Sequence, residues 1–261
     1  MKKEDLINLV NRPEMISGIY NYCDRWCERC SFTSRCANYA ISEQNQSEQK
    51  SDPENKAFWD ELHNVFQLTL EMVKDSAEEF GIDLDAVDLG NYEEDRKKLE
   101  ELTMAHNCVR WSKDYITYVN DWFDSAKDLI EEKGEEWESK ALLGMPESNI
   151  IKETNNLNDI IDVLRWYQYQ IHVKLRRAIH GKLEEVDEPD DEFPKDSDGS
   201  AKVALIGIDR SIAAWGKMLS FFPDNEDETF KNLVLLEKLR KITEKEIPNA
   251  RSFHRAGFDD K

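Results

Sequence analysis

Glycine and proline are scarce, ten and seven in a chain of 261 residues. So few chain reversals exclude a sheet-rich fold, which needs frequent tight turns, and leave long helices as the alternative. Long apolar runs are missing too: nothing approaches the ~20 consecutive apolar residues that a membrane-spanning helix needs. The opening MKKEDLINLVNRPEM carries two lysines, but Asp5, Asn8 and Asn11 interrupt its apolar run, so it does not read as an export signal. There is no Gly-rich phosphate loop, no Gly-x-Ser-x-Gly elbow and no strand pattern to carry either, which leaves standard hydrolase chemistry unsupported. Positive charge is in deficit, with 35 Lys and Arg against 55 Asp and Glu and a net charge of −20. Such a chain repels phosphate backbones, so nucleic acid is not an expected partner.

What the chain does contain points to a folded, all-α protein. A charged fraction of 34% is high, yet seven Trp, eight Tyr and eleven Phe are too many for a disordered polymer. Helical spacing of apolar residues predicts helices over 3–10 and 14–30, with Pro13 between them. Three long helices follow. The first runs from about Pro53 to Phe80, with Phe58, Leu62, Val65, Phe66, Met72, Val73 and Phe80 facing inward and Gly81 as its stop. The second starts near Asn91, and a seam of Leu99, Leu102, Val109, Ile116, Val119, Phe123 and Ile130 carries it for roughly ten turns. The third spans about Glu153 to His180, with Leu157, Ile160, Leu164, Tyr167, Ile171, Leu175 and Ala178 on its seam and Gly181 at its end. A fourth begins at Asp198 or Ser200 and shows Leu205, Ile208, Ile212, Trp215 and Leu219. A fifth covers Glu228 to Glu246, with Leu235, Leu236, Leu239 and Ile242. Each stripe needs a neighbour to bury it, so the expected architecture is an up-and-down multi-helix bundle. The domain plan is a Cys-rich metal-binding segment over 1–41, a polar linker over 42–55, the bundle over 56–247 and a loose tail over 248–261. The acidic stretch from Glu184 to Gly199 reads as a solvated loop.

Four of the five cysteines fall within fourteen residues: Cys23-x3-Cys27-x2-Cys30-x5-Cys36. Core packing uses cysteine singly, as Cys108 does on the second long helix. Clustered thiols without an export signal imply a reducing, cytoplasmic setting and metal ligation rather than disulfides. Residues 1–40 hold six basic and five acidic side chains, a local charge of +1 that leaves about −21 on the remainder, which suits a group of thiolates. The helical reading puts Cys23, Cys27 and Cys30 on one side of a helix. Structural zinc favours two C-x2-C knuckles, and only one is present. An iron–sulfur cluster of the [4Fe–4S] type accepts one contiguous run of ligands. The spacing of the first three cysteines resembles that of the radical S-adenosylmethionine enzymes. That resemblance covers eight residues, no alternating βα pattern follows, and Cys36 offers a fourth ligand where those enzymes leave one iron open. The family is therefore rejected, while the spacing still favours iron–sulfur over zinc. Tyr22, Trp26 and Phe32 interleave the thiols and could shield a cluster; Arg25, Arg29 and Arg35 could balance its charge.

A second constellation lies on the third helix, where Asp162, Arg165, Tyr169, His172 and Arg176 recur at three- and four-residue spacing. It reads as an exposed face laced by local pairs, with a buried polar site around His172 as the alternative. No helix pair carries the Glu-x-x-His repeat of di-iron bundles, and His106 and Cys108 are too close in sequence to point together as base and nucleophile. The leading functional expectation is electron transfer or redox sensing through an iron–sulfur cluster, on behalf of a protein partner. The alternatives are a zinc-stapled interaction protein and an enzyme with a polar site inside the bundle.

Overall fold

Long helices end where the backbone offers a cap, and side-chain caps at Asn55 and His106 mark two of the helix starts in this chain. In a computed structural model that describes residues 3–45, 54–86, 90–184 and 195–260, the regular structure among those residues is helical throughout, with no strand. The chain forms two compact units, Met1–Glu94 with Arg255–Lys261, and Asp95–His254.

In the first unit, α1 covers Lys3–Val10, α2 Ala37–Asn45 and α3 Lys56–Glu79. The Asn55 side chain accepts from the Ala57 amide at 3.0 Å and starts α3. Gly81, at φ 67°, ends it as anticipated, with the Ile82 amide returning to the Ala77 carbonyl at 2.8 Å. The inward seam assigned to α3 is not what forms: Val65, Phe66, Met72, Val73 and Phe80 are exposed, and Phe58 and Leu62 only half-buried. Periodicity identifies an apolar stripe but does not say that something covers it. The second correction concerns residues 14–30, which form turns rather than an α-helix. Gly18 and Arg25 both adopt left-handed φ, 72° and 59°, and neither value is compatible with a continuing right-handed helix. Between α2 and α3, residues 46–53 of the proposed linker lie outside the described residues, and Ser42–Asn45 belong to α2.

The ten-turn helix divides into three: α4 Tyr92–Ala105, whose first turn belongs to the first unit, and then, in the second unit, α5 Asn107–Ser125 and α6 Lys127–Leu142. His106 makes the first break. It sits in extended backbone, and its Nδ1 accepts from the Cys108 amide at 3.2 Å, as an N-cap oxygen would. Then come α7 (Glu147–Glu184), α8 (Asp196–Phe221) and α9 (Glu226–Glu246). At 38 residues α7 is about 57 Å long, and it passes through Gly181 instead of ending there. The acidic loop's residues 185–194 lie outside the described residues.

Four of these helices neighbour one another in a closed cycle: α5 packs on α7, α7 on α8, α8 on α9 and α9 on α5. All seven seam residues assigned to α7 are buried. Trp122 and Tyr115 of α5, Trp215 of α8 and Tyr167 of α7 are the unit's largest fully buried side chains. The Trp215 indole donates to the Tyr115 hydroxyl at 3.1 Å, and Trp122 meets Trp215 edge-on at 5.2 Å. A close approach occurs at Gly207 of α8, where a Cβ would stand 2.9 Å from Tyr167 Cδ1. Residues 247–254, part of the stretch whose composition suggests a loose tail, pack here too, with Ile247, Ala250 and Phe253 buried.

Candidate metal centre

A straight helix would spread Cys23 through Cys36 over about 20 Å, too far for one metal centre. Turns shorten that span. The Asp24 carboxylate accepts from the Trp26 amide at 3.3 Å, and the Cys27 amide donates to the Arg25 carbonyl at 3.0 Å, which closes a three-residue turn centred on Trp26. Arg25 holds its left-handed φ at a cost of about 1–2 kcal/mol for a residue with a Cβ. Short 3₁₀ turns follow at Cys27–Arg29 and Thr33–Arg35, each flanked by cysteine. The Ile16 amide donates to the Arg35 carbonyl at 3.0 Å and joins the start of this segment to its end.

The outcome is a single, nearly filled pocket that Cys23, Cys27, Cys30 and Cys36 all line, with ≈ 20 Å³ of room, about one water, and partly open to solvent. Ile19, Tyr20, Trp26, Phe32, Tyr39 and Phe258 supply its apolar wall. None of the four is in a disulfide, and all are half-buried. Burial first, and then the neighbouring Cys23, Cys36 and Cys30, push the Cys27 thiol above its ordinary range. The Phe32 amide donates to Cys30 Sγ at 3.4 Å, a bond that favours the thiolate of a metal ligand. Cys23 Sγ donates to the Tyr20 carbonyl at 3.5 Å. Among the described residues no three or more His, Cys, Asp or Glu side chains are drawn together as closely as a bound ion requires. The thiols rim one pocket without closing on a common point. In donor type the set suits either centre: four soft thiolates serve zinc or an iron–sulfur cluster equally.

Of the aromatics interleaved with the thiols, Trp26 and Phe32 line the pocket and Tyr22 does not. Of the three arginines only Arg25 does; Arg29 lies over the Trp26 ring at 4.3 Å, and Arg35 Nε donates to the Glu14 carbonyl at 3.1 Å. Phe258 has no signal in the sequence, since nothing local ties it to cysteines more than two hundred residues earlier.

The α7 stripe is largely solvated. Asp162, Arg165, Tyr169 and Arg176 are exposed; Arg165 covers the Phe123 ring at 4.2 Å, and Arg176 pairs with Glu100 at 2.7 Å. His172 alone is half-buried, its Nδ1 2.9 Å from Ser112 Oγ. The Ser112 hydroxyl donates to the Val109 carbonyl at 2.8 Å, so its oxygen is left to accept from His172. A serine beside a histidine resembles a nucleophile and its base, but Ser112 is 0% exposed and no substrate can reach it. Cys108 is fully buried as well, its thiol pushed up to about 11 by burial, and is inert filler. No helix among the described residues is long and apolar enough to cross a membrane. Comparisons with known protein families, curated proteins and solved structures find no match to this chain.

Proposed function

We propose that Cys23, Cys27, Cys30 and Cys36 hold a [4Fe–4S] cluster through which this protein transfers electrons or senses redox state for a protein partner in the cytoplasm. The observation that carries the reading is that all four clustered thiols line one aromatic-walled pocket, built from turns rather than from a helix. A bound cluster supplies reversible one-electron chemistry. The chain's own residues supply the rest. Trp26 and Phe32 keep water from the sulfurs, the Phe32 amide stabilises Cys30 as thiolate, and the near-neutral segment avoids the repulsion that the rest of the chain would impose. A partner is supported by α3, whose Trp59, Phe66, Leu70, Val73 and Phe80 are each about half or more exposed, an apolar surface of the kind that marks an interaction site. The cycle of α5, α7, α8 and α9, joined in part by short connections, supports the up-and-down bundle as its scaffold.

Zinc is the second reading. The 3₁₀ turn that places Cys27 and Cys30 on one tight bend is how a single C-x2-C knuckle grips zinc, and the centre would then staple the segment without redox chemistry. Anaerobic purification followed by visible spectra and iron, sulfide and zinc analysis separates the two. Brown protein with iron and sulfide in equal amount supports the cluster. Colourless protein with one zinc per chain replaces it, and protein that takes up neither metal refutes both.

A further inference from the structure

The last residues of the chain form a small, self-clamped turn. The Arg255 guanidinium reaches the Asp259 carboxylate through Nε at 3.2 Å and Nη2 at 3.0 Å, and the Arg255 amide donates to the same carboxylate at 3.0 Å. That pair is largely buried, with side chains 15% and 24% exposed, so water screens it less than a surface pair. The Gly257 amide donates to Asp260 at 2.8 Å and closes the turn from the other side. Gly257 has φ 78°, and it lies so close to the segment that a Cβ would stand 2.8 Å from Ile19 Cδ1 and 3.1 Å from Ile16 Cδ1. Only glycine satisfies both the backbone angle and the contact. Seated this way, the turn delivers Phe258 to the thiol pocket. Its ring meets Phe32 edge-on at 5.1 Å, the Arg255 guanidinium lies 4.9 Å from its centre, and its side chain completes the wall that the four cysteines share.

We propose that the turn over Arg255–Asp260 is a stopper on the thiol pocket, with Phe258 as its plug, so this turn governs access to the four cysteines. Gly257 on Ile16 and Ile19 sets the depth of the plug, Phe32 and Arg255 hold its ring, and the Arg255–Asp259 clamp keeps the turn closed. Polar reagents, chelators and oxygen then reach the half-buried sulfurs slowly while the stopper is seated and faster when it lifts. The turn is small and held by few contacts, which puts such lifting at the low-energy end of local opening. What the stopper protects rests on the metal reading above; that it protects the thiols does not.

The test uses the full chain in two states. In metal-free, reduced protein, alkylation of each cysteine by iodoacetamide is followed by mass spectrometry for the natural sequence, Phe258→Ala, Phe258→Leu and Phe230→Ala, an exposed control in the second unit. Loss of the plug should speed alkylation of the pocket cysteines about tenfold, the weight of one aromatic contact in an opening equilibrium. Phe258→Leu should fall between, and Cys108 and the control should not change. Amide exchange is read alongside at Ile16, Cys30 and Arg35. Faster alkylation with those amides still protected supports a stopper. An unchanged rate overturns it, and so does faster alkylation with the amides unprotected, which would make the turn a strut of the fold. In the second state, zinc-loaded or cluster-loaded protein is challenged with a chelator, and Phe258→Ala should release metal faster. A difference in alkylation with no metal bound by either protein would sink the metal reading and leave the stopper standing. Metal bound equally and equal alkylation would do the reverse.

Discussion

Two glycines of α8, nine residues apart, should respond in opposite directions to the same substitution. At Gly216 a Cβ meets nothing within 4 Å, whereas at Gly207 it would stand 2.9 Å from Tyr167 Cδ1 and 3.1 Å from Ile171 Cγ1. Ordinary carbon contacts begin near 3.5 Å, so alanine at 207 overlaps the Tyr167 ring by about 0.6 Å. That ring cannot swing away: Tyr167 is 1% exposed, and Arg210 donates to its hydroxyl. Both substitutions gain roughly 1 kcal/mol of helix propensity. Overpacking at 207 costs about 1–3 kcal/mol, for a net loss of up to about 2 kcal/mol. Gly216→Ala should therefore stabilise by roughly 1 kcal/mol and Gly207→Ala destabilise by about the same amount. The gap of about 2 kcal/mol corresponds to roughly 4–8 °C in Tm for a unit of this size. Urea unfolding followed by far-ultraviolet circular dichroism measures it directly, provided the denaturant slopes of the two variants agree. Equal stabilisation by both variants would refute the close approach of α7 and α8, and with it the packing assigned to this unit.

Serine at Cys23, Cys27, Cys30 or Cys36 should each lower bound metal sharply, while Cys108→Ala leaves it unchanged; full retention in one of the four removes that residue from the centre. His172 carries a pH dependence. Burial first, and then Arg176, hold its folded pKa below the ordinary 6.5. The unfolded chain therefore binds more protons in that window, and the stability His172 contributes is complete above about pH 6.5 and lost as pH falls toward the folded value. Urea midpoints between about pH 7 and pH 5 should fall less steeply in His172→Gln than in the natural sequence, and parallel curves would contradict this sign. The exposed Arg176–Glu100 pair should couple by less than about 1 kcal/mol in a double-mutant cycle, with the coupling shrinking in salt; a larger value would mean the stripe is not solvated. A fragment spanning residues 95–254 should melt cooperatively without any metal, since its buried seams lie within itself, and a molten fragment would show that it needs the first unit.

The sequence by itself determined the all-helical class, the seams of α7, α8 and α9, and the candidate ligands. Those properties are local: a stripe at 3.6-residue spacing and a run of thiols are visible without knowing what lies opposite. Gly81 ends α3 as a C-terminal glycine should, because the requirement for positive φ is met within a few residues. Gly181 looks the same on paper, yet α7 runs past it, because Gly181 does not take the left-handed φ that ends α3 at Gly81. Only tertiary structure decides between those two uses of glycine. The same holds for α3, whose apolar stripe is real but left exposed, and for His106, whose ring caps α5 and breaks a seam that periodicity alone would continue. At the thiols, spacings of three and four fit both a helix face and a series of turns. Left-handed backbone at Gly18 and Arg25 selects the turns, and with them the shared pocket. Phe258 belongs wholly to the tertiary structure, since its place beside Phe32 comes from a chain reversal that no local pattern encodes.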